Sequence, residues 1–109
     1  MCEHIIRMDA FTVLAEPTRR RILDTLRQRE CSVSELVESL AASQPAISKH
    51  LKVLRDAGFV SCSIAAQQRI YGLRAERLRA VDDWLAPYRR LWQRHLDQLG
   101  EHLRRMETA

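Results

Sequence analysis

The stretch from Ser43 to Gly58, SQPAISKHLKVLRDAG, constrains this chain more than any other. It reads as one helix with marked ends. Ser43 is placed to accept a hydrogen bond from the first free backbone N–H groups, and Pro45 falls in the first turn, where a missing N–H costs little. Gly58 supplies a left-handed stop. Ile47, Leu51 and Leu54 recur at spacings of four and three, which gathers them on one side of the helix. Gln44, Ser48, Lys49, Lys52 and Arg55 collect on the other side, with no carboxylate before Asp56. One face is built for burial. The other carries short polar groups suited to base edges and cations suited to phosphates, the combination a helix needs in a DNA major groove. An ordinary solvated basic face has the same texture, so the flanking segments must decide.

Before this helix, Ser32-Val33-Ser34-Glu35 has the form of a capping box, with Glu35 reaching back to Ser32. It opens a short helix to about Leu40 that buries Val33, Leu36, Val37 and Leu40. Only Ala41 and Ala42 then separate it from Ser43. Two short helices joined by so tight a turn, the second basic on its outer face, form a helix-turn-helix. Further upstream, Ile5, Ile6, Met8, Phe11, Val13 and Leu14 predict a helix that is apolar over much of its circumference. Glu16-Pro17-Thr18 ends it and opens another, with Ile22, Leu23 and Leu26 buried and Arg19, Arg20, Arg21, Arg27 and Arg29 on its exposed side.

After Gly58, the alternating segments Phe59–Ile64 and Arg69–Leu73 predict a hairpin around Ala65-Ala66-Gln67-Gln68. Such a strand pair is a wing, and Gln67, Gln68 and Arg69 are its candidates for phosphate or minor-groove contact. From Ala75 to Met106 the pattern is helical, with an interruption expected at Pro87. Leu78, Val81, Leu85, Tyr88, Trp92, Leu96, Leu99 and Leu103 form a stripe that Trp84 and Leu91 widen. Its first half is expected to join the core. The part after Pro87 is expected to form a dimer seam, because it is more apolar surface than so small a domain can cover.

The whole is expected to be one mainly α-helical domain with a small β-hairpin, a winged helix-turn-helix over residues 1–109. Within it, 32–58 form the helix-turn-helix, 59–73 the wing, and 1–15 and 75–106 the dimerisation helices. Ile5, Ile6, Phe11, Tyr88, Leu91, Trp92, Leu96, Leu99 and Leu103 are the candidate interface of a two-fold homodimer. Such a dimer sets its recognition helices about one DNA turn, roughly 34–36 Å, apart and calls for an inverted-repeat operator.

Composition agrees. The 18 Lys and Arg against 14 acidic residues give a net charge of +4, which favours an anionic partner. The only two lysines are Lys49 and Lys52, on the polar face of the central helix. No apolar run approaches membrane-spanning length and the N-terminus does not begin a signal peptide, so a cytoplasmic protein without a membrane partner is expected. Cys2, Cys31 and Cys62 are odd in number and far apart, which predicts reduced thiols. No nucleophile–base spacing, phosphate-cradling glycine loop or paired acids point to an enzyme.

At this point the chain resembles the ArsR/SmtB family of bacterial winged-helix repressors over nearly all its length. The resemblance rests on Leu14-Ala15-Glu16-Pro17-Thr18-Arg19 with Ile22-Leu23, on Ser34-Glu35-Leu36, on Ser43 to Leu54 with Ala57-Gly58, and on Arg69-Ile70-Tyr71-Gly72-Leu73. It implies a homodimeric repressor that releases its operator when an inducer binds; no inducer is visible here.

The family's usual metal sites are missing. Ser32 and Ser34 stand where a Cys-x-Cys pair would lie, and hydroxyls do not replace thiolates for a soft metal. Gln93 stands two before His95, Gly100 two before His102 and Arg105 three after it, so the second common ligand pattern is absent as well. No cofactor is expected. Non-standard possibilities stay open: Cys2, Cys31 and Cys62 as a thiolate site or redox switch, or His95 and His102 with Asp97 and Glu101 as zinc ligands. A protein-interaction module without specific DNA binding is the alternative from another class. In the wing, Ala66 stands where a turn glycine is usual and Gln67 where an arginine is usual, which weighs against a tight turn and one phosphate contact.

The resulting assignment is double-stranded DNA as partner, with Gln44, Ser48 and Lys49 on base edges. Ser43, His50, Lys52, Arg55 and Arg69 are assigned mainly to phosphates.

Overall fold

A computed structural model describes residues 9–108. The expectations for Cys2, Ile5 and Ile6 lie outside the described residues. The chain divides into two compact units, one ending at Arg79 and the other starting at Ala80.

The first unit begins with α1 (Ala10–Leu14), which buries Ala10 and Val13 and leaves Phe11 half in solvent. α2 (Pro17–Gln28) starts where proline permits, with the Glu16 carboxylate as cap accepting from Thr18 N–H at 2.6 Å. Its stripe of Ile22, Leu23 and Leu26 is buried as expected. A two-residue strand, β1 (Cys31–Ser32), leads into α3 (Val33–Leu40). The capping box is complete: Glu35 N–H donates to Ser32 Oγ at 3.2 Å, and Ser32 N–H to the Glu35 carboxylate at 2.8 Å. α3 buries Leu36 and Leu40 fully, while Val33 and Val37, expected in the core, are only half-buried. An eight-residue helix shows its neighbours a narrow stripe, and these two valines lie on its margins.

α4 (Gln44–Asp56) has the predicted ends. Ser43 Oγ accepts from Ala46 N–H at 3.3 Å, and Gly58 takes φ +85° after Ala57 caps the helix. Phe59 N–H closes back on the Leu54 carbonyl at 2.8 Å. Ile47, Leu51 and Leu54 are fully buried and, with Ile22, Leu36, Phe59 and Val13, form the centre of the core. Each such aliphatic or aromatic side chain contributes about 1.5–3 kcal/mol on burial.

The hairpin consists of β2 (Val60–Ala65) and β3 (Gln68–Leu73), paired antiparallel from Val60↔Leu73 to Ala65↔Gln68. The tight turn forms despite the missing glycine. Ala66 and Gln67 both take positive φ, 51° and 66°, the geometry that lets a two-residue loop follow the strand twist. β1 adds a third strand on the other side of β3, giving the order β1-β3-β2, and this strand was not foreseen. Two residues are too few to carry a period.

The 3₁₀ turn Ala75–Leu78 ends the first unit, with Arg77 over the Phe59 ring at 5.7 Å from its centroid. α5 (Arg79–Thr108), which supplies the second unit from Ala80 onward, is one continuous helix that runs through Pro87, where an interruption was expected. A proline removes a single N–H from the ladder, and a long helix absorbs that loss. Arg89 braces this turn, donating to both the carboxylate and the carbonyl of Asp82 at 2.7 and 3.2 Å. No residue of α5 is fully buried: in its first half, expected to join the core, Val81 and Leu85 are half-buried and Trp84 is 54% exposed. A single helix has no second layer of its own to cover its stripe. Trp84 and Tyr88 stack instead on each other, ring centroids 4.9 Å apart.

Candidate nucleic-acid interface

Burial of Ile47, Leu51 and Leu54 fixes the rotation of α4 and so turns Gln44, Ser48, Lys49, Lys52 and Arg55 outward, all of them exposed. β3 runs alongside. Gln44, Ser48, Lys52 and Arg55, one above another along the helix, share a groove of about 440 Å³ with Arg69, Tyr71 and Val33. The structure therefore brings four of the predicted helix residues and the wing arginine to one concave surface. Three cations line it and no carboxylate does. A cleft of one sign concentrates the field on an anionic partner.

The other predicted contacts are placed differently. Ser43 is exposed but uses its hydroxyl oxygen as helix cap. Lys49 is exposed outside the groove lining, and Gln67 stands at the tip of the hairpin. His50, expected on a phosphate, is half-buried. Its Nδ1 is enclosed with no hydrogen-bond partner among the described residues. It lies near Glu16, whose carboxyl is held below its ordinary range first by the Thr18 N–H and, among smaller influences, by the His50 charge. The position follows from the helix: His50 precedes Leu51 and sits on the edge of the buried face.

The arginines of α2 have partners that periodicity does not reveal. Arg19 Nε donates to the Val13 carbonyl at 2.8 Å, Arg20 to Leu14 at 2.5 Å and Arg21 to Leu40 at 3.3 Å. Arg29 pairs with Glu35 at 3.0 Å. The Glu35 carboxyl is held low by the Ser32 N–H first and by Arg29 second. These cations, expected as surface decoration, serve the carbonyl ends and cap of neighbouring helices. A basic residue shortly after a helix start was the available signal, but its target is set by tertiary structure.

Cys31 and Cys62 do not converge. Both lie opposite Tyr71, one on each side of β3, so they are two strand spacings apart, about 9.5 Å. That exceeds the roughly 7 Å limit for a disulfide without backbone movement. Cys31 is fully buried, and burial pushes its thiol pKa up, which disfavours the thiolate that a soft metal or an oxidant would meet. Among the described residues no cluster of three or more His, Cys, Asp or Glu gathers to hold a metal. His95 and His102 are both exposed on α5.

Residues 16–61, which span α2, α3, α4 and the start of the wing, match the family described as bacterial regulatory protein, arsR family. The chain is 39% identical over 87 residues to the HTH-type transcriptional regulator Rv2034 of Mycobacterium tuberculosis, covering 80% of this chain and 78% of that one. This chain belongs to the ArsR family of bacterial regulatory proteins. It is likewise 31% identical to the transcriptional repressor SdpR of Bacillus subtilis, over 71% of this chain and 86% of that one. An ArsR-like transcriptional regulator from Rhodococcus sp. RHA1 superposes with a TM-score of 0.67 at 26% identity, over 91% of this chain and 93% of that structure. As an ArsR-family protein the chain is a winged-helix, DNA-binding transcriptional regulator, and its relatives are regulators and not enzymes. No helix among the described residues is long and apolar enough to cross a membrane.

Proposed function

We propose that this ArsR-family regulator is a cytoplasmic homodimeric repressor that reads an inverted-repeat operator through α4. The observation that carries this reading is the carboxylate-free groove in which Gln44, Ser48, Lys52 and Arg55 meet Arg69. Gln44, Ser48 and Lys49 read base edges; Gln pairs with adenine and Lys with guanine. Lys52, Arg55 and Arg69 hold phosphates, and Ser43 adds a contact at the start of the helix. Gln67 at the hairpin tip reaches the flanking minor groove. His50, half-buried with its Nδ1 enclosed, is assigned in this reading to packing at the edge of α4.

Support for the dimer comes from α5. Leu91, Trp92, Leu96, Leu99 and Leu103 are 41–61% exposed along one stripe, with Tyr88 above them. A contiguous apolar strip of this length marks an interface. Phe11, 42% exposed, joins it in our assignment.

Selection of bound sequences from a random duplex library, with sedimentation of the free protein, tests the proposal. A recovered inverted repeat with half-sites about one turn apart and a dimer in solution are expected. Recovery of no sequence preference, together with a stable complex with another protein, contradicts it and favours an interaction module.

A further inference from the structure

α3 is held at both ends by arginines, Arg21 within α2 and Arg29 at the residue that caps α2. At its N-terminus Arg29 pairs with Glu35, whose other carboxylate oxygen caps the helix through Ser32 N–H. At its C-terminus Arg21 Nη2 donates to the Leu40 carbonyl. The second contact lies at the turn of the helix-turn-helix. Leu40 is the last residue of α3 and Ala41 takes φ +53°, a left-handed conformation that a Cβ disfavours. From there only Ala42 and Ser43 remain before α4. The Leu40 carbonyl belongs to the peptide plane that immediately precedes the Ala41 φ rotation. Turning that plane would swing α4, and with it the face that carries Gln44 and Ser48. A guanidinium on this carbonyl holds the plane and satisfies an acceptor that the helix end leaves open.

We propose that Arg21 is a positioning residue for DNA recognition: it fixes the angle at which α4 leaves α3, acting through the Leu40 carbonyl and not as a phosphate ligand. This inference rests on the reading of α4 as the recognition helix. Arg29 assists by fixing the other end of α3. The role needs a long side chain with a cationic donor, because the donor reaches from α2 to the end of the neighbouring helix. Lysine shares the charge and much of the reach, whereas methionine keeps the length and loses every donor.

The test compares wild type, Arg21→Met and Arg21→Lys on a duplex selected by the wild-type protein and on a random-sequence duplex, across a salt series. Measurements are made well below each variant's melting midpoint, so lost stability does not imitate lost binding. For Arg21→Met, affinity for the selected duplex is expected to fall about five- to tenfold, the scale of one long, part-exposed intramolecular hydrogen bond. Affinity for random duplex and the salt slope should stay unchanged, and Arg21→Lys should recover to within about twofold. A purely structural role would leave the ratio of selected to random affinity unmoved. That result overturns the inference. So does a parallel loss on both duplexes with the slope reduced by about 0.9 per protomer, which is the mark of a phosphate contact. If wild type does not prefer the selected duplex at all, the reading of α4 itself fails, and this outcome is distinct from an unaffected Arg21→Met.

Discussion

Among the described residues three with side chains, Ala41, Ala66 and Gln67, hold positive φ, and all three lie at turns beside the proposed DNA-facing surface. None is glycine or asparagine, so their conformation was not legible in the sequence. It is imposed by the elements on either side, which close only if the turn is left-handed. Replacing Ala66 by Gly is expected to stabilise the protein by about 1 kcal/mol, read as a rise of about 4–8 °C in the melting midpoint. Gly72 shows the opposite case. A Cβ there would come within 2.9 Å of the Glu30 carboxylate and 3.3 Å of Ser61 Oγ, so Gly72→Ala is expected to lower the midpoint unless Glu30 swings away. The two described thiols should also differ. Iodoacetamide labelling of the folded protein, followed by mass spectrometry, should modify half-exposed Cys62 while Cys31, enclosed and raised in pKa, stays unlabelled until unfolding.

Among the elements, those with caps and a clear period were legible: Glu16-Pro17 opening α2, Ser32 with Glu35 opening α3, and Ser43 and Gly58 bounding α4. What escaped depends on partners distant in sequence. β1 exists because β3 offers an edge to Cys31 and Ser32, and the arginines of α2 find carbonyls that only the fold brings near. α3 carries a pH prediction. The carboxyl of Glu35 lies below its ordinary value of 4.5 in the folded state, so its stabilising contribution is present above that value and is lost as pH falls through the folded one. Thermal melts between about pH 5 and pH 3 should therefore lose stability more steeply in wild type than in Glu35→Gln. In α5 the helix continues through Pro87, so Pro87→Ala restores one backbone hydrogen bond. Melting of the variant should show a gain of about 1–3 kcal/mol.

At the scale of the whole molecule, two surfaces of the described residues matter for partners: the apolar stripe of α5 and the cationic groove lined by α4 and β3. The stripe is legible in the sequence as surplus apolar surface, while periodicity marks an apolar face without naming what covers it. If the stripe joins two copies, Leu99→Glu places an unpaired charge in the seam and should weaken self-association about a hundredfold or more by sedimentation equilibrium. The groove carries the central claim, that the outer face of α4 reads DNA. Salt-dependent binding of Gln44→Ala and Lys52→Ala to the selected duplex and to single-base variants of it tests this claim most directly. Gln44→Ala should lose about 1–3 kcal/mol of discrimination at one base pair with its salt slope intact, whereas Lys52→Ala should weaken all duplexes alike and lower the slope by about one unit. Unchanged affinity, specificity and slope in both variants would contradict the account.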